Sequence, residues 1–597
     1  RIFASEKPTS LGEIEVSDGA PRQGDADPVV TSSVLTAEDF EGRSQTVSEV
    51  LSEQVGVSLK RYGGYDDFAT VSIRGSTSEQ VHVYLNGIPL QSAQGGGVNL
   101  STIPLSQIER IEIYRGQTPS LFDASAIGGV VNIITKHSRE EVEWLFHSDY
   151  GSWNSFGTGA FVGFPVGSWG GSAGYEFSHS DGDFSFRDDN GTPLNPDDDA
   201  TVARQNNDFN RHSFMTHWEG PIGPQWSLSI DENLFREDRG VPGLGNSSQT
   251  ADLSTTRNLS HLKFKYLPSS PKGISFSLNP FFGYTKSQFS DQQGEIGLGI
   301  QDNDDDILLY GARFDSLIPL DTAGQEVSLL FSYQGEEFLP ENFSQIPSSG
   351  TNSRRDSFFL VTEDRIYFLE RKIVLLPSFR LETHWNRLTN EDPSFSPASV
   401  IQNESTDTLL GGKFGAQLEV KKGVFFKGNV GRSFRAPNFL ELFGDRGFYI
   451  GNPELHPETA INFDLGLLLK TEQDRWHSEL TYFQTEVEGL IQPIQTSQST
   501  VKALNLGKGR IQGIEMMTFV RPLEALKLSL DYTFERARDR SGLPATHGLY
   551  LPGRPVHELG AKMDWEWKIL NLFTDLHFMD GNFLDSQNIR QVNHRTF

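Results

Sequence analysis

Residues 108–135 read IERIEIYRGQTPSLFDASAIGGVVNIIT. Ile108, Ile111 and Ile113 interleave with Glu109, Arg110 and Glu112, which predicts a strand leading into Arg115-Gly116. A turn-rich stretch follows, then a small-residue corner, Ala126-Ile127-Gly128-Gly129. The β-branched run Val130-Val131-Asn132-Ile133-Ile134 suits a strand buried on both faces. The paired glycines supply positive φ or let two backbones approach closely. The stretch reads as strand, tight turn, strand.

Working outward, the whole chain must accommodate that unit. It has 597 residues, 36% of them hydrophobic, and a mean hydropathy of −0.41. No run of 18 apolar residues occurs, which excludes a transmembrane helix. A transmembrane β-barrel is not excluded, because its strands alternate lipid-facing with lumen-facing side chains and average out as polar. Forty-three Phe and an aromatic content of 11% favour that barrel, since its interfaces carry aromatic girdles. The competing class is a large soluble all-β protein. Cysteine is absent, so disulfides, thiol nucleophiles and thiolate metal sites are excluded. A formal charge of −28 excludes nucleic acid as a partner, because phosphate must be neutralised by excess Lys and Arg. Arg1-Ile2-Phe3-Ala4 carries no apolar targeting region, so the numbering reads as that of a processed chain.

Residues 1–28 are rich in Pro, Ser, Gly and Asp and are expected to be mobile. Within them Glu13, Ile14, Glu15, Val16 and Ser17 alternate, a pattern that can add as a strand to another protein's sheet. Residues 29–137 read as a compact α/β unit. Val29–Leu35 is a strand, Thr36 or Ser44 caps a short helix, and Val47, Val50, Leu51 and Val55 share a helical face closed by Gly56. Asn86-Gly87 between two apolar runs predicts a hairpin. Beyond a linker at 138–141, residues 142–597 show repeated alternation. Val142, Trp144, Phe146 and Tyr150 share one face; Ile461, Phe463, Leu465, Leu467 and Leu469 alternate with Asn462, Asp464 and Gly466. One continuous apolar face opposite one charged face is what lipid outside and water inside demand. Ser180–Asn210, Arg236–Gln249, Ser287–Asp306 and Leu339–Arg355 read as long outer loops between short turns.

The opening stretch resembles the end of the plug domain of TonB-dependent outer-membrane transporters, departing from it at Gln117 (usually Pro) and Asp123 (usually Gly). Ile73-Arg74-Gly75 followed by Val83-Tyr84-Leu85-Asn86-Gly87-Ile88-Pro89 extends that similarity over about a hundred residues. Gly431-Arg432-Ser433-Phe434-Arg435-Ala436-Pro437 with Gly451–Glu458, then Asn505-Leu506-Gly507 and Gly513-Ile514-Glu515, resemble barrel signatures of the same family in the same order. The layout is most similar to the cobalamin-transporter branch. The resemblance implies an all-β transmembrane barrel with a small α/β plug in its lumen, in the outer membrane of a Gram-negative-type envelope. It also implies a TonB-type energising partner recruited through Glu13–Ser17, contact with lipid and lipopolysaccharide, and import of a scarce bulky solute such as cobalamin, an iron siderophore or haem. The alternative is a structural or adhesin-like barrel without active uptake. The family closes its barrel with about 22 strands, whereas residues 588–597 lack an apolar face. Two to three closing strands are therefore expected to be missing here or to lie on a second chain.

The 14 His show no metal-ligand spacing on a helix, and no catalytic constellation is present, so no enzyme activity is expected. By resemblance Arg74 and Arg115 of the plug face the barrel carboxylates Asp464 and Glu515, across a wet interface where each pair exchanges readily for water. Ligand is expected to meet the plug apex at Tyr62, Tyr65, Phe68, Gln91 and Gln94. No cofactor is required; Asp181, Asp183, Asp188 and Asp189 could hold a structural calcium through oxygen ligands, but their spacing fits no defined loop template and solvated acid is the preferred reading.

Overall fold

The computed structural model describes residues 27–43, 45–61, 63–64, 67–137, 141–190, 192, 195–243, 245–270, 272–296, 299–320, 325–343, 351–390, 402–444, 449–471, 475–495, 501–567 and 570–596. Glu13–Ser17, Ser44, Tyr62 and Tyr65 lie outside them.

The strand Ile108–Arg115 pairs antiparallel with Gly129–Thr135, Arg115 opposite Gly129. Gly129 has φ +139°, and a Cβ there would stand 2.1 Å from the Tyr114 carbonyl oxygen, so the close-approach reading holds. The connection is no tight turn: residues 116–128 form a loop between the strands. These two strands are central in a five-stranded sheet flanked by Thr31–Thr36 on one side and by Val81–Leu85 with Ile88–Pro89 on the other. Asn86 (φ +52°) and Gly87 (φ +83°) turn that last hairpin, as a two-residue primed turn requires. Thr36 and Thr46 cap the short helices Ala37–Phe40 and Val47–Ser52. The second helix ends at Ser52 with Glu53 as its C-cap, three residues short of Gly56, so Gly56 is not its cap; its role lies at the barrel wall. A hairpin of Val57–Arg61 and Ala69–Ile73 forms a separate two-stranded sheet. Its Val57, Val71 and Ile73 pack into the core formed by Leu51, Val83, Ile111, Ile113 and Val131.

Among the described residues from Glu143 onward the chain makes a closed barrel of 21 strands, two of which have only two residues; all pairings are antiparallel except that of the short Tyr449–Ile450 with Val501–Leu523. Ile461 and Phe463 point outward (57% and 42% exposed) while Asn462 and Asp464 are buried inside, as lipid outside and a packed polar lumen require. Several strands are taller than any bilayer. Val501–Leu523, at ~3.3 Å per residue, runs about 75 Å, against an apolar band of about 25 Å. Much of what reads as outer loop is consequently strand. Arg236–Gly240 belongs to Trp226–Gly240, and Gln301–Asp306 opens the strand Gln301–Leu320. Above the membrane both faces of a ladder can be polar: Lys286 pairs with Asp304 at 2.8 Å, and Tyr284 donates to Asp306 at 2.6 Å.

The hydrogen-bonded order returns from Leu570–Asp580 through Arg595–Thr596 to Glu143–Tyr150. The expectation that closure needs strands from elsewhere is therefore corrected; a two-residue strand makes the join without an apolar face of its own. The join is thin, with only Phe578–Thr596 and Met579–Arg595 in register. Trp144 and Phe146, on the adjoining strand, are 77% and 66% exposed, more than outward residues flanked on both sides. Amides in Glu143–Tyr150 and Leu570–Asp580 should exchange with deuterium at least about tenfold faster than those of Trp476–Gln495 in lipid nanodiscs. Equal protection would show that the join is as strong as the rest of the wall.

Candidate functional site

The barrel register lays side chains on the lumenal wall in rungs. One rung runs Asn429, Asp464, Phe483, Gly513, Glu535; the neighbouring rung runs Lys427, Gly466, Thr481, Glu515, Thr533, Glu558. Glycine at 513 is required because a Cβ would lie 2.2 Å from the Phe534 carbonyl oxygen and 2.6 Å from the Phe483 ring.

Arg74, at the end of the plug hairpin, spans both rungs. Its Nη1 donates to Asp464 Oδ1 at 2.7 Å, while Nε and Nη2 donate to the two oxygens of Glu515 at 3.0 and 2.8 Å. The guanidinium face sits 4.6 Å from the Phe483 ring centroid, a cation–π contact between the two carboxylates. All three charged side chains are 3–4% exposed. Burial opposes the cation, but Asp464 and Glu515 outweigh it and raise the Arg74 pKa above its ordinary value. The expected wet interface is thus corrected: this clamp is dry, where removing one partner is costly because a bare buried charge remains.

Arg115 does not join it. Its Nε donates to the Val55 carbonyl at 2.8 Å and its Nη2 to Ser33 Oγ at 2.8 Å. It makes no ion pair among the described residues, and its pKa is lowered chiefly by burial. Arg74 already occupies the near oxygens of both carboxylates, so Arg115 is turned inward and ties the edge strand to the loop after the second helix.

Further interactions ring the plug. Gln80 donates to Glu458 at 2.7 Å, and Arg435 bridges Glu458 and Glu441 at 2.9–3.0 Å. The signature segments around Arg435 and Glu458 carried that signal, but nothing in their spacing pointed to Gln80. Asp27 pairs with Lys413, which also meets Glu363 at 3.4 Å. Asp123 accepts from Tyr84 Oη and Ser332 Oγ, both at 3.0 Å, so the departure from the family pattern at this position ties plug to barrel. Towards the short-turn end the pairs are wetter: Lys527–Asp39 at 2.6 Å and Lys562–Glu53 at 2.8 Å, with side chains 15–26% exposed.

Of the described apex candidates, Gln91 donates inward to the Val81 carbonyl at 2.8 Å. Gln94 accepts through its carbonyl from Leu440 at 3.3 Å, under the helix Phe439–Phe443. Phe68 is half-buried, and its amide donates to Asp67 at 2.7 Å. Among the described residues no three His, Asp or Glu side chains gather to hold a metal ion; Asp181 pairs with His179 at 3.2 Å, and Asp188 accepts from the Asn190 amide.

A family model for the TonB-dependent receptor-like β-barrel matches residues 143–594, and the TonB-dependent receptor plug domain matches residues 26–130. The chain belongs to the TonB-dependent receptors. It is 25% identical over 501 residues to the vitamin B12 transporter BtuB of Photobacterium profundum, covering 81% of this chain and 72% of that protein. It is 24% identical to the ferric enterobactin receptor PirA of Pseudomonas aeruginosa, covering 89% and 78%. Its fold is shared with the ferric yersiniabactin uptake receptor FyuA from Yersinia pestis, with a TM-score of 0.73 at 16% identity over 96% and 90% of the two chains. The receptor therefore works in the outer membrane with a TonB energiser, and it transports rather than catalyses.

Replacing Arg74 with Ala should lower the stability of the seated plug by about 3–5 kcal/mol, read as its urea midpoint by plug-specific fluorescence. Arg74→Ala combined with Asp464→Asn and Glu515→Gln should recover most of that loss. A triple variant as unstable as the single one would show that the cost is lost packing, not stranded charge.

Proposed function

We propose that this TonB-dependent receptor imports a scarce, bulky metal chelate of the ferric-siderophore or cobalamin kind. The observation that carries the proposal is the dry Arg74–Asp464–Glu515 clamp, which seats a packed plug in the bore. A bore sealed in this way serves solutes that cannot be left to diffusion, and it needs work from outside to open. The two relatives named above, one for vitamin B12 and one for ferric enterobactin, support the ligand class. The outer loops select between its members: the plug apex at Gln94 lies under Phe439–Phe443, and Gly64 lies against Phe184.

The test is uptake of labelled ferric enterobactin and cyanocobalamin by cells lacking their own receptors for both. Saturable uptake of one of them is expected, abolished by a protonophore and by deletion of residues 1–26, with ligand binding retained. Uptake indifferent to that deletion would indicate a passive pore. Absence of saturable binding of either ligand would overturn the proposed ligand class.

A further inference from the structure

Three histidines and three carboxylates meet where the carboxyl-terminal end of the plug lies against the wall. From the plug come Glu109 on the strand Ile108–Arg115, Asn86 at the hairpin turn, and His137 just past the strand Gly129–Thr135. From the wall come His217 and Glu219 on Phe209–Pro221, Asp231 on Trp226–Gly240 and His261 on Asp252–Tyr266. His217 stands opposite Asp231 in the ladder, and Asp231 opposite His261. The register therefore lays one imidazole on each side of a single carboxylate.

The contacts follow that layout. His217 Nδ1 stands 2.8 Å from Asp231 Oδ1, and His261 Nδ1 stands 3.2 Å from Asp231 Oδ2. The second nitrogen of His217 faces Glu219 Oε2 at 3.6 Å. On the plug, His137 Nδ1 lies 2.9 Å from Glu109 Oε2. Asn86 reaches across and donates to Asp231 Oδ1 at 3.2 Å. The rings of His137 and His217 lie 5.3 Å apart between centroids, which closes the group over the seam between plug and wall.

A neutral imidazole has one N–H and one lone pair. His217 turns both nitrogens towards carboxylates, so only its charged form offers a proton to each. A neutral ring there presents a lone pair to one of two anions. The wall side chains of the group are 8–16% exposed, and at such burial an uncompensated charge is costly. At His137 burial opposes the cation, but Glu109 outweighs it and raises the pKa above its ordinary value. The other charges nearby are engaged or set back. Arg110 meets Glu109 and Glu112 at 3.3 and 2.9 Å, and Lys136 is drawn to Glu41 at 2.9 Å. Lys263 acts on Glu219 and Asp231 only through space, beside the Arg313–Asp315 pair.

We propose that this seam is a pH-sensitive tie, which grips the carboxyl-terminal end of the plug while its imidazoles are charged and slackens as they lose their protons. Glu109, Glu219 and Asp231 supply three negative charges, and His137, His217 and His261 are the neighbours that can change theirs near neutral pH. The grip is full below the ordinary imidazole range and is lost as pH rises through it. It does not depend on which solute the receptor carries.

The chain has no cysteine, so a thiol-reactive dye on Glu38→Cys, an exposed plug position, reports release of the plug by urea from the full chain in lipid nanodiscs. Between pH 6 and pH 9 the equilibrium constant for release should rise at least about tenfold, the change that one pKa unit of linkage produces. His217→Gln keeps a hydrogen-bonding side chain and removes the charge. It should release the plug at pH 6 as readily as the unaltered seam does at pH 9, and lose most of the pH dependence. If that variant fails to assemble, the His137→Gln/His261→Gln double variant takes its place, with the same flattening expected. A release constant that does not change between pH 6 and pH 9 in the unaltered seam would overturn the proposal. So would a variant that loosens the plug equally at both pH values, because the histidines would then serve packing alone.

Discussion

One guanidinium between two carboxylates in a dry interface governs how this plug can be both sealed and released. A buried ion pair is worth little compared with the same groups in water, because desolvation cancels most of the Coulombic gain. Removing one member is another matter, since it strands a charge. The Arg74 clamp therefore resists any change that takes away a partner yet costs little to exchange as a whole for water. Asp464 Oδ2 strengthens the point: it is buried without a hydrogen bond, and hydration would satisfy it. A clamp of this kind fixes position more than it adds stability.

The same physics explains why part of the site was legible in the sequence and part was not. Asp464 was assigned to the lumen by strand parity, and its meeting with Arg74 follows once Ile73-Arg74-Gly75 is matched to its family counterpart. Glu515 follows from the Gly513-Ile514-Glu515 signature. Arg115 stands in an equally strong motif but bonds to Val55 and Ser33, because two carboxylates already share one cation and side-chain direction at a strand end is not encoded in alternation. Whether the interface was wet or dry was equally hidden. It depends on how closely two surfaces fit, which no local pattern reports.

The barrel repeats this division. Alternation identified the lipid-facing strands, since each is half apolar whatever its neighbours do. It failed for the tall outer ladders, where polar residues on both faces look like loop. Gln301–Asp306 is strand because cross-strand pairs such as Lys286–Asp304 satisfy its outward carboxylates above the membrane. It failed again at the join, where Arg595–Thr596 closes the ring by backbone pairing alone.

Release also depends on what the plug does not place at the clamp. Gly56 and Gly75 flank Arg74 in space, and a Cβ on either would stand 2.1 Å from the carboxylate of Glu515 or Glu535. Immediately around the clamp the plug thus meets the wall with bare backbone and the Arg74 side chain. On the opposite side Phe122, Tyr84 and Tyr114 of the plug share one buried apolar cluster with Val374 and Leu376 of the wall. Interlocking costs dispersion contacts when surfaces part, whereas hydrogen bonds between polar surfaces are replaced by water. Separating a surface joined by backbone and charge would therefore forfeit fewer dispersion contacts than separating the apolar cluster.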